Sequence, residues 1–180
     1  DAMLDTEFMQ SLPERAALRE ELDGQLSGLD AYELKLDQAR RWHKDHAFRI
    51  GLQVLRGAVG ADKAGPAYAD LADVAIAGMD SLARGEIVEA HGAIAGGNFA
   101  VLGFGKLDGR ELTATSDVDL VFVYDVPEGA EKSDGARPIS PFRYYTRYAQ
   151  RLISALSSPT AEGVLYEVDL QLRPSGKAGP

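Results

Sequence analysis

The sequence contains no cysteine, which excludes disulfides, thiolate nucleophiles and cysteine-ligated metal clusters and fits a reducing compartment. Positive charge is also scarce: 19 Lys and Arg against 28 Asp and Glu leave a net charge of −9. Nucleic-acid binding generally needs a basic face to displace counterions, so no nucleic-acid partner is expected. Long hydrophobic runs are missing as well. No stretch approaches the ~20 apolar residues that cross a bilayer, and the start of the chain has no charged-then-apolar secretory pattern. A soluble, cytoplasmic protein without membrane association is expected. Histidine is sparse. His43 and His46 stand three apart without another His or Cys close by, and the neighbouring Lys44 and Asp45 suggest exposure, so no zinc site is expected there.

What is present is an ordinary globular composition, 45% hydrophobic and 26% charged over 180 residues, enough for one domain or a small pair. Two units are expected: a helical region over 1–92 and a mixed core over 93–180. The chain opens at Asp1-Ala2-Met3 and closes at Gly179-Pro180 just after a predicted strand, so both ends read as cuts in a longer polypeptide.

In the first unit, SLPERAALREELDGQL from Ser11 offers a capping serine, an early proline and Leu18, Leu22 and Leu26 at four-residue steps, which predicts a helix. A second helix is predicted from about 30 to 55, carrying Leu36, Ala39, Trp42, Phe48, Ile50 and Val54. Glycines at 57, 60 and 65 interrupt the pattern before a third stripe of Tyr68, Leu71, Val74, Ala75, Met79 and Leu82. Trp42, Phe48 and Met79 are expected in the core. Glycines at 85, 92, 96 and 97 mark a loop.

The pattern then changes. NFAVLGFG (98–105) and VDLVFVYD (118–125) are short apolar runs that predict buried strands, and GVLYEVDLQLRP (163–174) predicts a third strand with alternating polarity. Residues 126–139 form a polar loop rich in Gly and Pro, expected to be mobile. Ser140-Pro141 begins a helix predicted to run to about Ser157, with Tyr144, Tyr145 and Tyr148 packed inward. Arg143, Arg147 and Arg151 share its other side, read as a solvated basic face. Arg110 and Glu111 are read as an ion pair closing the preceding turn.

Asp117 and Asp119 lie two apart at the mouth of the second strand, so both side chains point to one face. A pair of this kind is either a solvated pair or part of a hard-cation site. Asp169, with Val168 and Leu170 beside it, would join them if the third strand lies next to the second, and three carboxylates could then hold two metals. Gly103-Phe104-Gly105-Lys106 follows the first strand. It is either a phosphate cradle or a plain strand-to-helix turn, and it lacks the P-loop spacing.

Strand, glycine-rich turn, short helix, Ser-Asp-x-Asp strand, helix and a later strand with a third Asp together resemble the nucleotidyltransferase superfamily that includes DNA polymerase beta. More closely, GFGKLDGRELTATSDVDLVFVYD with GVLYEVDLQLRPSGKAG is similar to the bacterial glutamine synthetase adenylyltransferase family. FRIGLQVLRG at 48–57 and the helical lead-in extend the likeness over nearly the whole chain. Asp108 stands where family members generally have glycine. The resemblance implies an α+β fold, a helical bundle followed by a nucleotidyltransferase core with a small mixed sheet flanked by helices. It also implies an enzyme built from two related domains, one attaching AMP to a glutamine synthetase tyrosine and one removing it. The 163–176 stretch resembles the attaching half.

By that resemblance, Asp117, Asp119 and Asp169 are the metal and catalytic residues, binding two Mg²⁺ or Mn²⁺ ions, with Asp169 the candidate general base. Gly105 and Lys106 would receive the triphosphate of ATP, Ser116 would orient a carboxylate or phosphate, and Arg173 would contact an anion. Glutamine synthetase would be the protein substrate and a PII signalling protein a partner of the full-length enzyme. The alternatives are the AMP-removing domain and a binding module that kept the fold without the chemistry.

Overall fold

The computed structural model describes residues 11–170. Three helices come first: α1 (Arg15–Ser27), α2 (Tyr32–Leu55) and α3 (Ala61–His91). After them the chain alternates through β1 (Asn98–Phe104), α4 (Gly105–Asp108), β2 (Val118–Asp125), α5 (Pro141–Ser157) and β3 (Val168–Asp169). The sheet order is β1-β2-β3, with β1 antiparallel and β3 parallel to β2. The fold is α+β, with helices leading into a small mixed sheet.

The leucine ladder of α1 is buried as its spacing demands: Leu18, Leu22 and Leu26 face the core. The helix starts at Arg15, however, and Ser11 does not cap it. Arg49 captures Ser11 instead, donating from Nε to its carbonyl at 2.9 Å and from Nη2 to its hydroxyl at 3.1 Å. In α2, Trp42 and Ile50 are buried but Phe48 is 53% exposed, because six residues carry it about 240° round the axis from Trp42. His46, for which exposure was expected, is 2% exposed, with Nε2 3.0 Å from Glu21. Its imidazole completes the α2 face that packs on α1.

Helix α3 passes through both Gly65-Pro66 and Gly85 without breaking. Met79, Ala83 and Ile87 are buried on either side of Gly85. Burying them outweighs the ~1 kcal/mol that one interior glycine costs. Gly65 is required by proximity, since a Cβ there would stand 2.6 Å from the Arg110 carbonyl oxygen. The 31-residue helix therefore packs on α1 and α2 and also on α4 and α5. One hydrophobic cluster runs through the helices into the sheet residues Val118 and Leu120.

Residues opposite one another in register share a face. Phe99, Val101, Leu120, Phe122 and Tyr124 lie toward the helices, where Phe99 stacks on Tyr148 at 4.2 Å and Tyr124 on Tyr145 at 4.6 Å. The other face is open. Leu102 is 44% and Phe104 39% exposed, so β1 is an edge strand covered on one side and not the fully buried strand its apolar run predicts. The third strand begins later than its pattern suggests. The N–H groups of Leu165 and Tyr166 donate to the Leu156 carbonyl at the end of α5, and among the described residues from 163 onward Val168–Asp169 joins the sheet. The predicted continuation to 174 lies outside the described residues.

The loop over 126–139, expected to be mobile, is anchored to the end of α3. Asp134 donates its N–H to the Ala93 carbonyl, and Gly135 donates to the His91 carbonyl. His91 Nδ1 donates to the Arg137 carbonyl at 2.8 Å, leaving Nε2 to accept from Arg147 at 2.8 Å. Arg151 reaches Glu86 at 3.1 Å and lies over the Tyr32 ring. Two of the three arginines read as a solvated face thus fasten α5 to the helical layer.

Among the described residues the most deeply buried cation is Arg40, 1% exposed. It donates to the carbonyls of Leu36, Ala155, Ser158 and Gly163 at 2.8 to 3.0 Å. Arg40→Met strands these acceptors and should lower the unfolding free energy by about 3 kcal/mol in urea denaturation. A loss below about 1 kcal/mol would contradict this anchoring role.

Candidate active site

Asp119 and Asp169 are direct register partners across the parallel β2–β3 ladder. Their Cα atoms are therefore about 5 Å apart and their side chains share the open face. Burial of Val118 (0% exposed) and Leu120 (1%) on the helix side fixes this orientation, because alternation sends Asp119 outward when its neighbours go in. Asp117 precedes β2 by one residue and is exposed. The three carboxylates are thus ordered along one end of the sheet, two of them side by side. Among the described residues, no group of three or more His, Asp or Glu side chains is close enough to hold a metal ion.

The glycine-rich turn meets this face. Phe104, the last residue of β1, is in register with Asp119, and Gly105 follows with φ +59°. A Cβ at position 105 would collide with Asp119 Oδ2, so glycine is required both by the left-handed backbone and by the carboxylate against it. Lys106 is exposed in α4. Asp108 closes that helix, and among the described residues the non-glycine position with positive φ is Arg110 (φ +57°). The replacement of glycine by Asp108 therefore demands no left-handed geometry.

Ser116 closes the turn before Asp117, accepting from the Thr113 N–H at 3.0 Å and sharing a hydrogen bond with the Thr113 hydroxyl at 2.9 Å. Arg173 lies outside the described residues. Arg110 does not close the turn with Glu111. It spans to α3 instead, bonding Asp70 at 2.6 Å, Asp73 at 3.0 Å and the Pro66 carbonyl at 3.1 Å. These partners outweigh the desolvation of Arg110 and raise its pKa.

Beside Asp117 and Ser116 opens a cavity of about 460 Å³, also lined by His43, Tyr166 and Glu167. His43 Nε2 is hydrogen-bonded to the Tyr166 hydroxyl at 2.8 Å, with the rings edge-on at 4.8 Å. Burial, with a smaller contribution from His46, pushes the His43 pKa down to about 4. Burial likewise raises that of Tyr166, so both partners are neutral at physiological pH. Nothing in the local sequence pairs residues 123 positions apart. A larger cavity of about 800 Å³ lies between the end of α2, the start of α3 and residues 109–114, and it is lined without the carboxylates.

Hard, all-oxygen donors at Asp117, Asp119 and Asp169 suit a divalent cation such as Mg²⁺ or Mn²⁺. The missing Cβ at Gly105 leaves the Asp119 carboxylate directly against the turn, so a phosphate on the turn and a cation on the carboxylates would be neighbours.

Helices on one face of a small mixed sheet, with acids at the glycine turn on the other, make an α+β fold of the class the sequence predicts. The chain belongs to the glutamate-ammonia ligase adenylyltransferase family, whose model matches residues 1–180. It is 49% identical over 180 residues to the bifunctional glutamine synthetase adenylyltransferase/adenylyl-removing enzyme of Mesorhizobium japonicum. It is 46% identical to the protein of that name from Brucella melitensis and 47% to that from Agrobacterium fabrum. All of this chain is covered in each case, and it spans 18% of the relatives' length. No helix among the described residues is long and apolar enough to cross a membrane.

Gly105→Ala should strain the turn and displace Asp119, weakening Mn²⁺ binding in calorimetric titration by about tenfold or more. Unchanged binding would show that the turn and the carboxylate act independently. His43 supplies a pH prediction. Below about pH 6.5 the unfolded chain takes up a proton that folded His43 resists until about pH 4. Stability should therefore fall as the pH drops through that window, seen as a lower urea midpoint at pH 5 than at pH 7.5. His43→Gln should flatten the fall.

Proposed function

We propose that the chain is the AMP-attaching domain of a glutamine synthetase adenylyltransferase, transferring AMP from ATP to a tyrosine hydroxyl of glutamine synthetase and releasing pyrophosphate. The observation that carries this reading is the register of Asp119 against Asp169 beside the Gly105 turn. It is supported by the names of the relatives, which describe adenylyl transfer and removal on glutamine synthetase. Attachment is favoured over removal by the 163–176 stretch, which resembles the attaching half.

Asp117, Asp119 and Asp169 would hold two Mg²⁺ or Mn²⁺ ions, which when bound supply charge neutralisation at the phosphates and ease ionisation of the acceptor hydroxyl. The other roles fall to the chain itself. Lys106 and the Gly105 turn bind the triphosphate and keep its α-phosphorus in line with the incoming oxygen. As the tyrosine oxygen bonds to that phosphorus, the bond to the pyrophosphate oxygen breaks and the phenolic proton passes to the Asp169 carboxylate. Arg173 would contact the departing anion. Ser116, closing its own turn, sets the direction in which Asp117 leaves the loop.

The test combines the full chain with Mg²⁺, radiolabelled ATP and glutamine synthetase. Label should appear on glutamine synthetase, and Asp119→Asn should reduce it by about a hundredfold or more. Absence of label with the wild-type chain, or undiminished labelling by the variant, would overturn the proposal. Release of ADP from pre-modified glutamine synthetase in phosphate, without labelling, would assign removal.

A further inference from the structure

We infer that His43, on a helix far from the carboxylates in sequence, is a positioning residue for Asp169. This rests on the reading of Asp169 as a site residue. Among the described residues, the parallel ladder that sets Asp169 beside Asp119 pairs Val118 with Val168 and Asp119 with Asp169. It begins directly after the segment 163–167, so the placement of that segment sets the register in which the ladder starts.

Helix α2 grips that segment along its length. Arg40 takes the Ala155, Ser158 and Gly163 carbonyls, and Arg41 and Lys44 bracket Glu162 at 2.9 and 3.2 Å. His43 holds Tyr166 at 2.8 Å. Of these contacts the last is nearest to Asp169 along the chain. The very next carbonyl, that of Glu167, accepts the Val118 N–H at 3.0 Å and opens the ladder. Tyr166 is fixed on both sides: its N–H donates to the Leu156 carbonyl at 3.0 Å, its hydroxyl meets His43, and its ring is 8% exposed. His43 and Asp117 also line one cavity, so the same imidazole borders the carboxylate end of the sheet that it helps to align. A hydrogen bond between two neutral groups in a buried setting works as a fixed strut.

The test compares Tyr166→Phe, His43→Ala, His43→Gln and the double variant Tyr166→Phe/His43→Ala in the full chain. Two measurements are made on each: amide hydrogen exchange over residues 163–169, and Mn²⁺ affinity by electron paramagnetic resonance titration. Tyr166→Phe and His43→Ala should each speed exchange in 163–169 while α1 and α3 keep native protection, and each should weaken Mn²⁺ binding by about tenfold. The double variant should be no worse than either single one, since both remove one hydrogen bond. His43→Gln, which can still bond the hydroxyl, should restore most of both properties. Unchanged exchange in 163–169, or an increase spread equally over α1 and α3, would overturn the inference. If the wild-type chain binds no Mn²⁺, the metal reading of the site fails, and the exchange measurement alone decides whether His43 positions the strand.

Discussion

Two carboxylates stand level on neighbouring strands, and the packing beneath β2 keeps Asp119 on the open face. Burying one Val or Leu side chain contributes about 1.5 to 3 kcal/mol. Val118 and Leu120, which flank Asp119 and are almost wholly buried, therefore fix which face of the strand Asp119 takes. Turning Asp119 inward would require both apolar side chains to turn outward. The orientation of Asp119 is thus maintained by the core beneath it, and its oxygen donors are of the kind a hard cation takes.

The helical layer supplies the other constraint. Both edges of the carboxylate face are hung from helices that come early in the chain. On one side, Arg110 ties the turn after α4 to Asp70 and Asp73 of α3, and Gly65 lets the two backbones meet. On the other, Arg40, Arg41, His43 and Lys44 of α2 hold the connection from α5 to β3. The hydrophobic cluster continues from α1 into β2, so a displacement of α2 or α3 is transmitted to the turn and to the last strand. Chemistry on the sheet depends in this way on side chains outside it.

Much of this was legible in the residue pattern. The leucine spacing of α1, the Asp-x-Asp at the mouth of β2 and the proline at the start of α5 report local preferences that the fold obeys, because each concerns residues within a turn or two. The misreadings share a different cause. Phe48 belongs to the core by type, yet its angular position on α2 points outward. Gly85 reads as a break, although α3 buries apolar residues on both sides of it. The NFAVLGF run carries no mark that one face of β1 would go uncovered, and His46 was judged by its charged neighbours along the chain and not by Glu21 on the facing helix.

By itself, then, the sequence determined the helices, the two longer strands, the glycine at the turn and which acids share a face, since periodicity and backbone sterics act over a few residues. Only the tertiary structure decided that β3 runs parallel to β2 with Asp169 level with Asp119. It alone set Arg110 onto α3 and His43 onto Tyr166. Those pairings join residues tens to more than a hundred positions apart. They arise from the collective packing of whole elements, which no short stretch of chain encodes.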